Sequence, residues 1–363
     1  MLSPYHLEKY ADVLLWGLQT AKKASLKKNE IVLIQYGQPA LKLAEILYAR
    51  LLDMGIHPVQ RMVATFEMEK SFYEKANPKQ LTFLTPGDQE LYQNIGGRIY
   101  LHAPESLTHL KDIEPSRIGK AMVSRKPLKD ILDRREEQHK YSWTLCIVPT
   151  DELARQARMS IKQYTGQVVK GCYLDRDHPV AEWQHIHKEV MAIKKRLSSL
   201  PVKYFRMESA GMDLKITPGD QRKWAGVSGH NVPSFEVFIS PDWRGTEGVY
   251  FANLPSFRSG NYVEGIRITF ARGRAVRIEA KQGEAFAKKQ LAMDVGACQV
   301  GEFSLTDKRF SRIDRFMAET LFDENFGGKA GNSHIALGSS YSNTFNGDPA
   351  RLTGALKKKL GFN

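Results

Sequence analysis

The hydrophobic period of the chain changes at Pro201, and this change constrains the fold more than any other feature of the sequence. Before it, short apolar runs alternate with long stretches of helical spacing. "NEIVLIQYG" reads as a strand starting near Ile31, and "QPALKLAEILYARLLDMG" as a helix stopped by Gly55. "HPVQRMVA", "GRIYLHAP" and "WTLCIVPT" are further strands, each followed by helical sequence. The amino-terminal "MLSPYHLEKYADVLLWGLQTAKK" is amphipathic, with Leu7, Tyr10, Ala11, Leu14, Leu15 and Leu18 at helical spacing. Helices are predicted over "IEPSRIGKAMVSRKPLKDILDRREEQHK", bent or split at Pro127, over "TDELARQARMSIKQYTG" and over "HPVAEWQHIHKEVMAIKKRLSSLP". Alternation of this kind predicts an α/β domain over residues 1–200, a mainly parallel sheet with helices on both faces.

After Pro201 the period shortens to two. "KYFRMESAGMDLKITPGD" turns at Ala210-Gly211, and "ITFARGRAVRIEA" forms a hairpin turning at Arg272-Gly273. "SFEVFISP", "GVYFANLPSF", "CQVGEFSL" and "SHIALG" add strands, with helices over "GEAFAKKQLAMD" and "SRIDRFMAETLFD". Residues 201–363 therefore read as an α+β domain on a mainly antiparallel sheet.

Composition narrows the function. The net charge is +13. The basic residues are dispersed in pieces such as "KKASLKK" and "LKKKL", with no aromatic platform among them. A solvated basic surface is expected, with no nucleic-acid partner. No apolar run reaches the roughly 18 residues that cross a membrane, and the start lacks the pattern of a signal peptide. Cys146, Cys172 and Cys298 are far apart and form no CxxC, which fits a reducing cytoplasm; Cys146 reads as a buried, inert thiol. Neither GxGxxG nor a phosphate-binding P-loop is present. His185 and His187 are too close in sequence to share one side of a helix.

Three strands of the second half carry ionisable residues that strand propensity disfavours. Glu236 lies opposite in facing to Phe235, Val237 and Ile239; Glu302 shares a face with Val300; His334 shares one with Ala336. Two readings stay open. The acids look at water from a solvated strand face, or they are buried and share a divalent cation that offsets lost hydration. Their spacing is irregular, unlike HExxH, and does not choose between the two.

"GHNVPSFEVFISP", "GEFSL", "LFDENFGGKAGNSHIALG" and "SSY" resemble, in this order, the signature segments of the aminopeptidase T / aminopeptidase S family of metallopeptidases. The resemblance covers most of the chain and is strongest from about Gly229 to Gly338. It implies a metal-dependent aminopeptidase that removes N-terminal residues from peptides through a metal-activated water. It also implies two divalent cations (zinc, cobalt or magnesium), peptide substrates and a homodimer. Glu236, Glu302 and His334 match metal ligands, Tyr341 matches an active-site tyrosine placed to bind the oxyanion, and Glu302 is a candidate proton carrier as well. Asp323 and Glu324 fall in the family's acidic block, with no ligand role carried over. Phe235 stands where many relatives have glycine. The family's H-x-D segment follows the position of "KKKLGFN"; no histidine follows His334 here, and Asp348 is the one later acidic side chain. The expectation is that the encoded domain continues past Asn363; with three ligands alone, activity is in doubt. The competing reading is a non-enzymatic α/β protein that binds a small molecule, its acids and histidine being structural.

Overall fold

The computed structural model describes residues 1–363 and divides the chain into two compact units, Met1–His185 with Ser228–Ser234, and Ile186–Val227 with Phe235–Asn363. In the first unit β1 (Ile31–Tyr36), β2 (His57–Met62), β3 (Ile95–His102) and β4 (Ser142–Ile147) form a sheet. Their order is β2-β1-β3-β4, and every pairing is parallel. Parallel neighbours need crossovers of a dozen or more residues, which the helices between them supply. A fifth strand arrives from far along the chain: Asn231–Val232 (β7, after β5, Phe205–Ser209, and β6, Met212–Thr217) pairs parallel with β4.

The first helix, Pro4–Lys22, starts at an N-cap Ser3 and buries Tyr10, Ala11, Leu14, Leu15 and Leu18. Tyr10 Oη donates to Ile147 O, and Ser142 Oγ donates to Leu18 O, which fixes this helix on β4. Gly17 is needed at that contact, because a Cβ there would lie 2.8 Å from the carbonyl oxygen of Gly229. Cys146 is fully buried, as expected of an inert thiol, and burial raises its pKa further.

Two helix predictions require correction. "TDELARQARMSIKQYTG" is two helices, Asp151–Gln156 and Ile161–Gly171. Arg158 adopts a left-handed backbone between them, and Ser160 with Gln163 forms a capping box that starts the second. "SRIDRFMAETLFD" is helical only over Thr320–Asp323. The Asp323 carboxylate accepts from the backbone N–H of Met317 and of Glu319, so a loop satisfies donors that a longer helix would have used internally. The helix around Pro127 is split, as the proline requires, into Pro115–Ser124 and Lys126–Glu137.

The second unit is built from antiparallel sheets. The strands are β8 (Glu236–Ile239), β9 (Asp242–Phe251), β10 (Ser256–Arg258), β11 (Asn261–Val263), β12 (Arg267–Ala271), β13 (Arg274–Glu279), β14 (Val300–Thr306) and β15 (Asn332–Leu337). One sheet has the order β13-β12-β9-β6-β5, another β15-β14-β8, and β10-β11 is a separate hairpin. The β12–β13 turn places Arg272 and Gly273 at positive φ, 50° and 77°, which suits a tight hairpin turn. Phe303, on β14, is buried against Phe205 and Trp224, with ring centroids 5.3 and 6.1 Å away. No helix is long and apolar enough to cross a membrane.

Candidate metal centre

The site is one face of the sheet β15-β14-β8. In antiparallel pairing, residues directly opposite each other point the same way. Thr306 faces Glu236, and Ser304 faces Phe238 on β8 and His334 on β15. Glu302 is opposite Ala336, after a register shift at Gly301. Residues 302, 304 and 306 of the central strand therefore share a face with Glu236 and His334. Phe303 takes the other face and anchors the strand in the core.

Three residues separated by up to 98 positions in sequence converge here. One ligand atom from each of Glu236, Glu302 and His334 lies within 4.8 Å of the other two. His334 Nε2 is 3.5 Å from Glu236 Oε2 and 3.7 Å from Glu302 Oε1. These separations are too long for good hydrogen bonds and leave space between the groups. Glu236 and Glu302 are 5% and 7% exposed, so the solvated-face reading does not hold for either acid.

The electrostatics follow from that burial. Burial pushes the Glu236 carboxyl up to about 7, with the Glu302 charge adding to the rise and His334 and the Ser304 hydroxyl opposing it. Burial by itself would lower His334, but Glu302, Glu236 and Glu324 outweigh it and hold the imidazole at about 9. Without a metal, the imidazolium is thus the cation of the cluster.

The sequence reading left Glu324 without a role. It is half-buried just beyond the short helix Thr320–Asp323, and burial together with the charges of Glu236 and Glu302 raises its pKa well above the usual carboxylate range. Its neighbour Asp323 is spent on the loop, through Met317 and Glu319. The only sequence signal for Glu324 was its place in the acidic block; adjacency to a structural acid hid the difference between the two.

Tyr341 stands at the edge of this face. Its ring contacts Phe238 at 5.3 Å between centroids, and its backbone N–H donates to Ser240 Oγ. It stays 48% exposed. Partial burial, and then the charges of Glu302, Glu324 and Glu236, hold the phenol above its ordinary pKa, so it is a hydrogen-bond donor near neutral pH. Arg222 braces the segment behind it, donating to Ser240 O and Leu360 O while its guanidinium lies over the Phe362 ring.

The donor set fits a divalent cation. Two carboxylates and an imidazole are oxygen and nitrogen ligands of the kind bound by borderline and hard divalent ions, and three protein ligands leave further positions to water or substrate. Donor sets of this form, with positions left open to water, are the kind that metal-dependent hydrolases use.

The comparisons with known proteins agree. The model of the thermophilic metalloprotease (M29) family matches residues 4–363, and the chain belongs to this family. The family implies a divalent metal. Aminopeptidase AmpS of Bacillus subtilis (strain 168) is 31% identical over 191 residues, 48% of this chain and 44% of the relative. Aminopeptidase T of Thermus aquaticus is 30% identical over 214 residues, 56% of this chain and 50% of the relative. The chain thus spans about half the length of these curated relatives. The solved structure titled wild-type AmpT from Thermus thermophilus superposes with a TM-score of 0.76 at 21% identity, covering 99% of this chain and 90% of that one, which shows the same fold.

Proposed function

We propose that the protein is a metal-dependent aminopeptidase, with its catalytic machinery in residues 201–363. The observation that carries this reading is the convergence of Glu236, Glu302 and His334, two of them buried acids, on one face of the sheet β15-β14-β8. These three side chains hold the metal. A bound divalent ion supplies Lewis acidity and a water of lowered pKa; the family implies the ion, and two ions of zinc, cobalt or magnesium remain the reading taken from the sequence resemblance.

The chain's own groups do the rest. Glu302 lies at the ligand cluster, where it accepts a proton as well as holding the metal. Glu324, with its pKa raised, donates its own proton to the leaving amine, and the proton that Glu302 took from water passes to Glu324 to restore the resting state. Tyr341 donates its phenolic hydrogen bond to the oxyanion that forms at the scissile carbonyl. The excess of acid around the site attracts the free α-ammonium of a peptide, which restricts cleavage to the first residue. The relatives named aminopeptidases support peptide substrates for this chain. A homodimer in the cytoplasm belongs to the same reading; the unpaired Cys146, Cys172 and Cys298 support the reducing compartment.

Hydrolysis of leucine amide and of short peptides is expected to stop on dialysis against a chelator and to return on adding Co²⁺, Zn²⁺ or Mg²⁺. Hydrolysis indifferent to chelation would remove the proposal.

The acid–base properties make a second expectation. Both Glu236 and His334 have folded-state pKa values raised above their ordinary ones. A group of this kind contributes stability below its unfolded pKa and loses it as pH rises through the folded value. For Glu236 the loss falls between about 4.5 and about 7, and for His334 between about 6.5 and about 9. The metal-free protein is therefore expected to melt at progressively lower temperature from pH 5 to pH 9. Metal binding needs both groups deprotonated and releases their protons, so added Co²⁺ raises the melting temperature more at pH 8 than at pH 5. Melting curves at these pH values, with and without metal, check both signs.

A further inference from the structure

Ser304 occupies the centre of the cluster. It is two residues from Glu302 along β14 and directly opposite His334 on one side and Phe238 on the other. Its hydroxyl is fully buried and donates to Glu236 Oε2 at 2.9 Å. That oxygen is also the one nearest His334 Nε2, at 3.5 Å. The hydroxyl therefore holds the very oxygen that faces His334.

We propose that Ser304 is a positioning residue for divalent-cation binding: it fixes the coordinating oxygen of Glu236 and, by its small size, keeps open the space that the ion takes. This inference rests on the metallopeptidase reading above and adds to it a residue outside the ligand set. Two physical arguments support it. First, a carboxylate oxygen has two lone-pair directions. With Ser304 taking one, the other is left for the ion, and rotation of Glu236 about its side-chain torsions is restricted. Second, cross-strand neighbours on one face of an antiparallel sheet have Cβ atoms about 4.5–5.5 Å apart. A longer side chain at the central position would project between ligand atoms that are themselves within 4.8 Å of one another. Serine is small enough to avoid this and, unlike alanine, supplies a donor. Partners that orient a metal ligand typically change metal affinity by about 10–100-fold when removed.

The test is metal titration of the chelator-treated full chain. Calorimetry with Co²⁺ gives the Kd, and the absorption spectrum of the Co²⁺ form reports ligand geometry. For Ser304→Ala the Kd is expected to weaken by roughly 10–100-fold, with an altered Co²⁺ spectrum. Ser304→Thr keeps the hydroxyl but adds a methyl group at a fully buried position, so it should return both only part of the way towards wild type. Ser304→Cys keeps the size with a weaker donor and should lie between. Its Kd also decides the matter if the alanine variant does not fold. A Ser304→Ala or Ser304→Cys protein with wild-type Kd and spectrum overturns the inference, even if its melting temperature falls, since that pattern is merely structural. The control separates the two levels of argument. If wild type binds Co²⁺, Glu302→Ala does not, and Ser304→Ala binds normally, only the role of Ser304 is lost. If wild type takes up no Co²⁺ that depends on Glu302, the metal reading falls and takes this inference with it.

Discussion

Glu302→Ala is expected to lower the rate of peptide hydrolysis by roughly 10²–10⁴-fold while leaving the chain folded. Glu302 is 7% exposed, and one of its oxygens lies 3.7 Å from His334 Nε2. Its removal deletes one of three converging ligand atoms and the nearest proton acceptor together. In the metal-free state the change also deletes a like charge beside Glu236, whose pKa the Glu302 charge raises. The pKa of Glu236 should fall, and the melting temperature of the metal-free variant should change little. The signature is therefore loss of activity and of metal-induced stabilisation, without loss of fold. Leucine-amide hydrolysis, Co²⁺ titration and a melting curve measure the three parts. A Glu302→Ala protein that hydrolyses at the wild-type rate, or does so in the presence of a chelator, would show that the reaction is carried elsewhere.

Phe303→Ala should give the opposite pattern. Phe303 is the residue next to Glu302, but its ring points into the core against Phe205 and Trp224. Truncating a buried phenylalanine costs about 3–5 kcal/mol through lost transfer energy and the cavity left behind. In a unit of this size that corresponds to a fall of roughly 6–20 °C in melting temperature. The ligands stay on the strand, so binding of Co²⁺ should persist and recover part of the loss, about 2.7 kcal/mol when the free ion is at 100 times its Kd. A melting temperature within a degree or two of wild type would mean that the aromatic cluster does not hold β14. Two adjacent residues thus separate the chemistry from the scaffold, because successive side chains of a strand point to opposite faces.

The same alternation explains what was legible from sequence. A period of two in "CQVGEFSL" is enough to put Glu302 and Phe303 on opposite faces, and the alternation of strand and helix before Pro201 is enough for the parallel sheet. Pro127 and the Arg272-Gly273 pair marked a helix break and a hairpin through local backbone preference. The two misread helices failed for local reasons of another kind. Ser160 and Asp323 offer side-chain acceptors to nearby backbone N–H groups, and a pattern of apolar spacing does not weigh that competition.

Sequence alone also offered the candidates: two glutamates and a histidine in strands whose propensity disfavours them, with the family resemblance marking them as ligands and adding Tyr341. It left open which face of each strand would be solvated. Only the tertiary structure decided that, by pairing β14 with both β8 and β15 and covering the shared face, so that Glu236 and Glu302 lose water together and His334 stands between them. It also brought in Glu324 from the acidic block and put Ser304 at the centre of the cluster. The physical reason is that side-chain direction is a local property, set by strand period, whereas burial and charge proximity depend on which strands pair, and pairing joins residues far apart in the chain.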